Sequence, residues 1–188
     1  MTISTDATVG SIVTEAPLAA RIFEKYGIDY CCGGGTSLTD ACASHGLDAE
    51  RMAEEIRNEL AADPGDPVRF DQLPLPAVIQ HIVETFHRPL DEELPRIQAL
   101  ADKVDGVHGG AQPSLGEIRS VFTALHRDLV DHMLKEERVL FPMILAGQGR
   151  LAGPPIQCME QEHDGAGAAL RRVRELTNGY AVPDGACN

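Results

Sequence analysis

The pair His132 and Glu136 has the residue types and the spacing to hold a metal ion. The two residues lie four apart in the segment Asp131-His-Met-Leu-Lys-Glu-Glu137, which the surrounding apolar residues predict to be helical. At that spacing both side chains leave one face of a helix, one turn apart. An imidazole nitrogen beside a carboxylate oxygen suits iron, manganese or zinc. A solvated contact on a helix surface shows the same spacing, so further ligands decide between the two interpretations.

Two more histidines lie on other predicted helices and can face the same interior. His87 follows Phe86 on the apolar side of its helix, and His163 lies near the middle of a later helix. Helical bundles build metal sites from side chains of facing helices that converge in the core. Any one of these histidines alone is more often an ordinary core residue. Three of them on three successive helices, joined by a carboxylate, favour a metal site made of His87, His132, Glu136 and His163.

Three long helices are expected to carry these ligands. Apolar residues at helical spacing predict helices over residues 75–103, 114–145 and 156–177. Pro89 and Pro95 predict a bend near Arg88, because a proline inside a helix costs about 3 kcal/mol unless the helix kinks. Residues 105–112 are predicted to be a loop that carries His108, a further candidate for metal binding or proton transfer.

The ends of two helices carry recognisable capping patterns. Ser114, followed three residues later by Glu117, matches a capping box at the start of a long helix. Near the N-terminus, Asp48 resembles the N-cap of a helix that begins at residue 49. Both patterns predict where a helix begins.

A smaller helical module is predicted ahead of the long helices. Apolar residues from Val9 to Phe23 recur at helical spacing, and Gly27 follows as a C-cap. Residues 62–67 consist of Ala, Asp, Pro and Gly, which break helices and strands. The sequence therefore predicts an all-α protein with a helical module at 1–62, a linker at 63–73 and a helical domain at 74–188.

The module contains two adjacent cysteines, Cys31 and Cys32, followed by three glycines. Adjacent cysteines seldom form a relaxed disulfide, because their Cα atoms lie only ~3.8 Å apart across a trans peptide. The glycines permit close backbone approach and positive φ angles. The thiol pair could bind a soft metal or dock a cluster, act as a redox sensor, or simply provide small residues at a tight turn. We expect it to contact a client protein or transferred iron.

Composition bounds the class of protein. The 188 residues carry a formal net charge of −13 without a block of Lys or Arg, which argues against binding to nucleic acids or anionic lipids. No stretch approaches the ~20 apolar residues that span a bilayer, and the first residues do not form a signal peptide. Five cysteines in no disulfide pattern predict reduced thiols and a cytoplasmic location.

Three motifs together resemble a known family. The segments Asp29-Tyr-Cys-Cys-Gly-Gly34, His132 to Pro142, and Met159-Glu-Gln-Glu-His-Asp164 are similar to the iron–sulfur cluster repair proteins. Those bacterial proteins join a small N-terminal cysteine module to a hemerythrin-like up-down four-helix bundle with a non-haem di-iron centre. The resemblance covers nearly the whole chain. It implies repair of clusters damaged by nitric oxide or oxidants, with damaged iron–sulfur proteins as clients and iron supply as the means.

The resemblance also implies roles for individual residues. Four residues match iron-ligand positions, the carboxylate as a bridge: His87, His132, His163 and Glu136. His108 matches a family histidine near the site, and Cys31 and Cys32 match the N-terminal dithiol. Iron donation, rather than enzymatic turnover, is the first interpretation. Nitric oxide reduction at a di-iron site and a hemerythrin-like sensor of oxygen or iron stay open as alternatives.

Two departures from the family pattern bear on metal content. Leu90 stands where family members commonly carry a second histidine near the first ligand. The fourth bundle helix of the family, with another His-x-x-x-Glu, has no counterpart after His163, so we expect three of the four helices. Glu84, Glu160 or Glu162 could supply further donors. We therefore expect weak iron binding or a single metal, and a homodimer is one way to complete the bundle.

Overall fold

The protein is helical throughout the part of the chain that the structure describes. The structure is a computed structural model that describes residues 2–31, 33–62 and 69–182, and these ranges contain no β-strand beyond one isolated bridge. It divides into two compact units, Met1–Pro74 and Leu75–Asn188. The predicted all-α fold is thus confirmed. Among the described helices, none is long and apolar enough to cross a membrane.

The first unit contains four helices in its described part: α1 (Val9–Glu15), α2 (Ala19–Tyr26), α3 (Leu38–Ser44) and α4 (Ala49–Ala62). The apolar repeat that predicted one helix from residue 9 to residue 23 is split between α1 and α2. Ala16 precedes Pro17, and helical angles are disfavoured for the residue before a proline. Ala16 adopts φ −135° and ψ 78° instead. Gly27 ends α2 with φ 71°, as its position predicted.

The start of α4 and the core of this unit follow from local sequence. Asp48 caps α4, because its Oδ1 accepts the N–H of Arg51 at 2.8 Å. The core contains buried apolar side chains from all four helices, including Val9, Phe23, Leu38 and Ile56, and two from outside them, Ile3 and Ile28. Of the predicted linker, residues 63–68 lie outside the described residues, and Phe70–Gln72 forms a short 3₁₀ turn.

The glycines after the cysteine pair allow two backbone segments to touch. The N–H of Gly10, in α1, donates to the carbonyl of Gly34 at 2.9 Å. A Cβ atom at Gly10 would lie 2.9 Å from that oxygen, and a Cβ atom at Gly34 would lie 2.6 Å from the carbonyl oxygen of Tyr30. Any larger residue would force these segments apart. The cysteine loop is therefore closed against α1 by glycine.

The second unit contains three long antiparallel helical stretches in its described part. The first joins α5 (Leu75–Ile82), a π turn (Val83–His87) and α6 (Arg88–His108). The second joins α7 (Ser114–Lys135), a π turn (Glu136–Leu140) and α8 (Phe141–Leu145), and the third is α9 (Gly153–Leu176). Side chains pair in opposite sequence directions, such as Gln98 with Thr123 and Arg119 with Asp105. This is the up-down arrangement of a helical bundle.

Each π turn precedes a proline. In each, the next residue donates its N–H to a carbonyl five residues back, Arg88 to Val83 and Phe141 to Glu136. The following residue is a proline in both cases, which lacks an N–H and whose ring would collide with the carbonyl four residues earlier. The wider turn relieves both problems. The disturbance predicted near Arg88 is therefore a π turn, whereas Pro95 lies inside α6.

The loop predicted over residues 105–112 is wrong for its first half. Helix α6 continues to His108, and the N–H of Gly109 bonds to the carbonyl of Asp105 at 2.7 Å. Only Gly106 lies inside the helix, where one glycine costs about 1 kcal/mol, and Gly109 and Gly110 follow its end. His108 is thus the last residue of α6 rather than a loop residue.

The capping box predicted at Ser114 is not formed. Helix α7 begins at Ser114 itself, Pro113 occupies the N-cap position, and no side chain caps the helix. Glu117 instead contacts Arg172 of α9 at 2.5 Å. The carboxylate that the local pattern assigned to capping therefore joins two helices.

Candidate metal centre

Donor atoms from α7, its π turn and α9 converge at one point. One ligand atom each from His132, Glu136 and His163 lies within 4.8 Å of the others. The Nε2 atoms of His132 and His163 are 3.0 Å apart, and Nε2 of His132 is 3.6 Å from Oε2 of Glu136. One metal ion can bind ligand atoms that lie this close together, since its bonds to nitrogen and oxygen are about 2.0–2.2 Å long.

His87 reaches the same carboxylate from the first helical stretch. Its Nε2 lies 3.0 Å from Oε2 of Glu136, the oxygen that also faces His132. The four residues predicted from the sequence thus form one continuous cluster in the order His87, Glu136, His132, His163. Glu136 occupies its centre, between two imidazoles from different helices.

The cluster is buried on one side and open on the other. His87, His132 and Glu136 are only 4%, 5% and 9% exposed, whereas His163 is exposed. The ring of His87 stacks on Phe141, with centroids 5.9 Å apart and planes inclined by 17°. Phe141 belongs to a small apolar core that also contains Leu140, Ala152 and Met159. This core fixes one end of the cluster and leaves the His163 end accessible.

Two further carboxylates contact the buried imidazoles from behind. Oε1 of Glu137 lies 3.0 Å from Nδ1 of His87, and its other oxygen accepts from Arg88 at 2.7 Å. Oε2 of Glu162 lies 2.9 Å from Nδ1 of His132, and its other oxygen contacts Lys135. Each carboxylate therefore joins one imidazole to one basic side chain.

The electrostatics of these carboxylates favour their ionised form. Burial works against the charge of Glu137, but hydrogen bonds from His87 and Arg88 outweigh it and hold the pKa of the carboxyl below its usual value. At Glu162, burial is likewise outweighed by hydrogen bonds from Lys135 and His132, and the pKa is again lowered. Both side chains are therefore anions at neutral pH.

The chemistry of this donor set fits a first-row transition metal. Three imidazoles and one carboxylate combine borderline nitrogen donors with a hard oxygen donor, a set found with iron, zinc and manganese rather than calcium or magnesium. Carboxylates behind the imidazoles are the usual partners of metal-binding histidines. His87, His132, Glu136 and His163 are the residues that would hold such an ion.

A cavity of about 480 Å³ lies beside the cluster, between α7 and α9. His132, Lys135, Glu162 and His163 line one end of it. Other residues of the two helices line the rest, among them the apolar Val121 and Leu125 and the acidic Asp128 and Asp131. The cavity thus gives His163 and the ion site an approach from outside the buried core.

The other residues singled out in the sequence lie elsewhere. His108 ends α6, about 30 Å along the helix axis from His87 at 1.5 Å per residue. The structure therefore does not bring it to the cluster. Cys31 lies in the first unit and is exposed, and Cys32 lies outside the described residues.

The sequence predicted neither the contact of Glu137 with His87 nor that of Glu162 with His132. Glu162 was one of three carboxylates that could supply a further donor, and it lies behind His132 rather than among the converging donor atoms. A usable signal does exist in the sequence, because each of these glutamates directly neighbours a predicted ligand, Glu136 or His163.

Both halves of the chain match known protein families. Residues 5–60 match the ScdA_N family, described as a domain of unknown function (DUF542). Residues 78–188 match the family described as the hemerythrin HHE cation binding domain. The second match includes all four residues of the cluster.

Curated relatives match over nearly the whole chain. A protein of Pectobacterium atrosepticum named iron-sulfur cluster repair protein YtfE is 38% identical over 183 residues, which are 97% of this chain and 82% of the relative. Proteins of the same name from Citrobacter koseri and Escherichia coli O8 are 40% identical over 185 residues, with the same coverage. The two domain matches and these relatives together show that the chain belongs to the family of iron–sulfur cluster repair proteins with a hemerythrin-type cation-binding domain.

Proposed function

We propose that this protein is a non-haem iron protein that repairs iron–sulfur clusters damaged by nitric oxide or oxidative stress, by donating iron held at the cluster of His87, His132, Glu136 and His163. The convergence of three imidazoles on the single carboxylate of Glu136 carries the proposal. Membership in a family whose relatives are named for cluster repair supplies the process.

The form of the site supports release of the ion as well as its binding. Nitrogen and oxygen ligands hold iron less firmly than a cage of thiolates does. His163 is exposed, and the adjoining cavity reaches the same end of the cluster. An ion bound there can leave past His163 without opening the core around Phe141. A donor needs such an exit, whereas a purely structural metal site is closed.

We propose that this chain binds iron weakly or holds a single metal ion. Among the described residues, one group of three donors lies within reach of a single ion, and His87 joins it through Glu136. Two irons with ordinary coordination need roughly twice as many protein donors. Metal analysis of the purified protein of 188 residues tests this directly. Two tightly held irons per chain would refute it.

Glu136→Gln tests iron donation. The amide has the shape of the carboxylate but lacks the negative charge at the centre of the cluster, so we expect the variant to lose iron. The iron-loaded protein would be mixed anaerobically with a hydratase whose [4Fe–4S] cluster has been damaged by nitric oxide. Recovery of hydratase activity should require the wild-type protein. Glu117→Gln, which alters an exposed carboxylate on the same stretch, is the matched control. Wild-type repair by an iron-free Glu136→Gln protein would contradict the proposal.

Experiments on the iron-loaded protein also distinguish iron donation from nitric oxide reduction. Donation removes iron from the protein and gives no gas. A reductase would form nitrous oxide over several turnovers when nitric oxide is added to the reduced protein, and its iron would stay bound. We expect iron transfer without multiple turnovers. Reversible oxygen binding without loss of iron would instead favour a sensor.

We also propose that Cys31 and Cys32 contact the client or the iron in transit. Cys31 is exposed in a loop that glycines close against α1. The double change Cys31→Ser and Cys32→Ser should lower repair while the iron content stays at the wild-type level. Unchanged repair would exclude a role for the thiols.

The setting we infer is the cytoplasm, with damaged iron–sulfur proteins as partners. The net charge of −13 opposes association with nucleic acids and anionic membranes. A homodimer is proposed as one way to cover the cavity between α7 and α9. Sedimentation of the protein with and without iron measures its oligomeric state, and a monomer in both conditions would exclude the dimer.

A further inference from the structure

We propose that Glu137 and Glu162 are positioning residues, which hold the imidazoles of His87 and His132 in the one orientation and tautomer that presents Nε2 to the metal. This inference rests on the metal-binding part of the proposed function. It concerns two acidic residues that do not belong to the ligand set. Their contacts form two arms of the same design on opposite sides of Glu136.

The first arm runs from Arg88 through Glu137 to His87. An ionised carboxylate can only accept hydrogen bonds, so at 3.0 Å from Oε1 of Glu137 the Nδ1 atom of His87 must donate. The ring hydrogen is then on Nδ1, and in the neutral ring Nε2 keeps its lone pair. That lone pair faces Oε2 of Glu136 at 3.0 Å. Two electron pairs facing each other at this distance repel unless a cation lies between them.

The second arm runs from Lys135 through Glu162 to His132. Nδ1 of His132 lies 2.9 Å from Oε2 of Glu162 and donates for the same reason. Nε2 of His132 then presents its lone pair to the point where Glu136 and His163 also converge. Both arms thus have the same outcome, which is an Nε2 lone pair aimed at the centre of the cluster.

A basic side chain holds each carboxylate from its other oxygen. Arg88 contacts Oε2 of Glu137 at 2.7 Å, and Lys135 contacts Oε1 of Glu162. A carboxylate held at both oxygens cannot rotate away from its imidazole. Arg88 therefore fixes the ring of His87 through Glu137. Lys135 fixes the ring of His132 through Glu162.

The arms also join the helices of the second unit. Glu136 is a ligand, and its neighbour Glu137 holds a ligand of the first helical stretch. His163 is a ligand, and its neighbour Glu162 holds a ligand of the second stretch. In each pair of consecutive residues, one is a ligand and the other orients a ligand of the facing helix. Displacing one of two facing helices would therefore disturb two ligands at once. The position of each acidic residue directly beside a ligand gives this coupling.

Cobalt(II) titration of the whole protein tests the inference, with visible absorption as the readout of binding. Glu137→Ala and Glu162→Ala should each weaken cobalt affinity by about 10–100-fold, the usual cost of losing an outer partner of a metal-binding histidine. Glu137→Gln and Glu162→Gln retain an acceptor oxygen and the side-chain volume, and their affinity should lie closer to wild type. The glutamine variants also keep the test valid if an alanine variant fails to fold.

Glu117→Ala is the matched control. It removes an exposed ion pair with Arg172 that also joins α7 to α9, but it touches no histidine. Its cobalt affinity should stay within about threefold of wild type, since exposed ion pairs contribute little. A loss of the same size in the control and in Glu162→Ala would show that only helix contact matters, and would overturn the inference.

Proton NMR of the cobalt-loaded protein measures the N–H signals of the two imidazoles directly. These signals would not change if Glu137 and Glu162 only stabilised the fold. Each held imidazole should give one slowly exchanging, paramagnetically shifted N–H signal. Glu137→Ala should remove the signal of His87, and Glu162→Ala that of His132. Retention of both signals at wild-type affinity would overturn the inference.

Failure of the wild-type protein to bind cobalt would overturn both this inference and the proposed iron site. Tight cobalt binding without any cluster repair would overturn the proposed function alone.

Discussion

Replacing Phe141 with leucine isolates the contribution of one apolar contact to the metal centre. Phe141 is 6% exposed, and its ring lies 5.9 Å from that of His87 with the planes inclined by 17°. Leucine keeps the site apolar but removes the stacked ring. The change leaves every predicted ligand and every carboxylate behind the ligands in place, so any loss of metal affinity reports on the orientation of His87.

The size of the effect follows from the stacking geometry. Aromatic pairs at this separation contribute about 0.5–1.5 kcal/mol beyond the area that they bury. Without the stack, the binding-competent orientation of His87 loses that advantage over its other orientations. Because 1.4 kcal/mol corresponds to tenfold, Phe141→Leu should weaken cobalt(II) binding by about two- to twelvefold. The loss of unfolding free energy should be smaller than the about 3–5 kcal/mol of a Phe→Ala truncation.

Phe23→Leu in the first unit is the matched control. Phe23 is fully buried and forms an aromatic pair with Tyr30, with centroids 6.2 Å apart. Its replacement should lower the stability of the first unit by a similar amount and leave cobalt affinity unchanged. Urea unfolding and cobalt titration of both variants complete the comparison. Equal cobalt affinities in Phe141→Leu and wild type would refute the claim that the apolar core orients His87.

Two further predictions concern metal-linked stability and pH. Cobalt(II) at about 100 times its dissociation constant should raise the unfolding free energy of the second unit by about 2.7 kcal/mol, which thermal unfolding with and without the ion measures. An equal increase in the Glu136→Gln variant would contradict the proposed site. Burial and the hydrogen bond to Glu24 raise the pKa of Tyr30 from 10.0 to about 12. Since the folded-state pKa is the higher one, the stability that Tyr30 contributes is present below pH 10.0 and is lost as the pH rises to about 12. Urea unfolding across that window should show a smaller loss in Tyr30→Phe, and an identical loss would exclude Tyr30 as its source.

Each member of the cluster was predictable from helical periodicity, which indicates whether a side chain can face the bundle interior. His132 and Glu136 share a helix face by spacing alone, and one histidine on each neighbouring helix completes the cluster. The carboxylates behind the ligands were not predictable in this way. Glu162 lies 30 residues from the imidazole that it contacts and Glu137 lies 50 residues from its own, so helix packing determines these pairs. Local patterns carry no information on such distances.

Local signals failed where a tertiary contact competed with them. Ser114 and Glu117 match a capping box, which contributes about 1 kcal/mol, but the glutamate contacts Arg172 of a facing helix instead. The loop predicted to carry His108 is shorter than expected, because α6 continues through Gly106 to His108. Propensity is a weak prior when the neighbouring helix supplies a partner. For that reason the type and order of the elements were predicted better than their ends.

The π turns explain how one helical stretch can present both apolar core residues and a predicted metal ligand to the same side. At about 100° per residue, His87 would point about 80° away from Ile79 and about 140° away from Ile82 in an unbroken α-helix. Both isoleucines pack against the small apolar core of the second unit. The extra residue of the π turn removes about 100° of each offset, so His87 comes within about 20° of Ile79 and about 40° of Ile82. The second π turn does the same for Phe141 and Glu136, whose offset falls from about 140° to about 40°. The π turns ahead of Pro89 and Pro142 therefore bring His87 and Glu136 to the side of the apolar core. We expect that a sequence which kept every predicted ligand but lost the turns would misplace these two side chains.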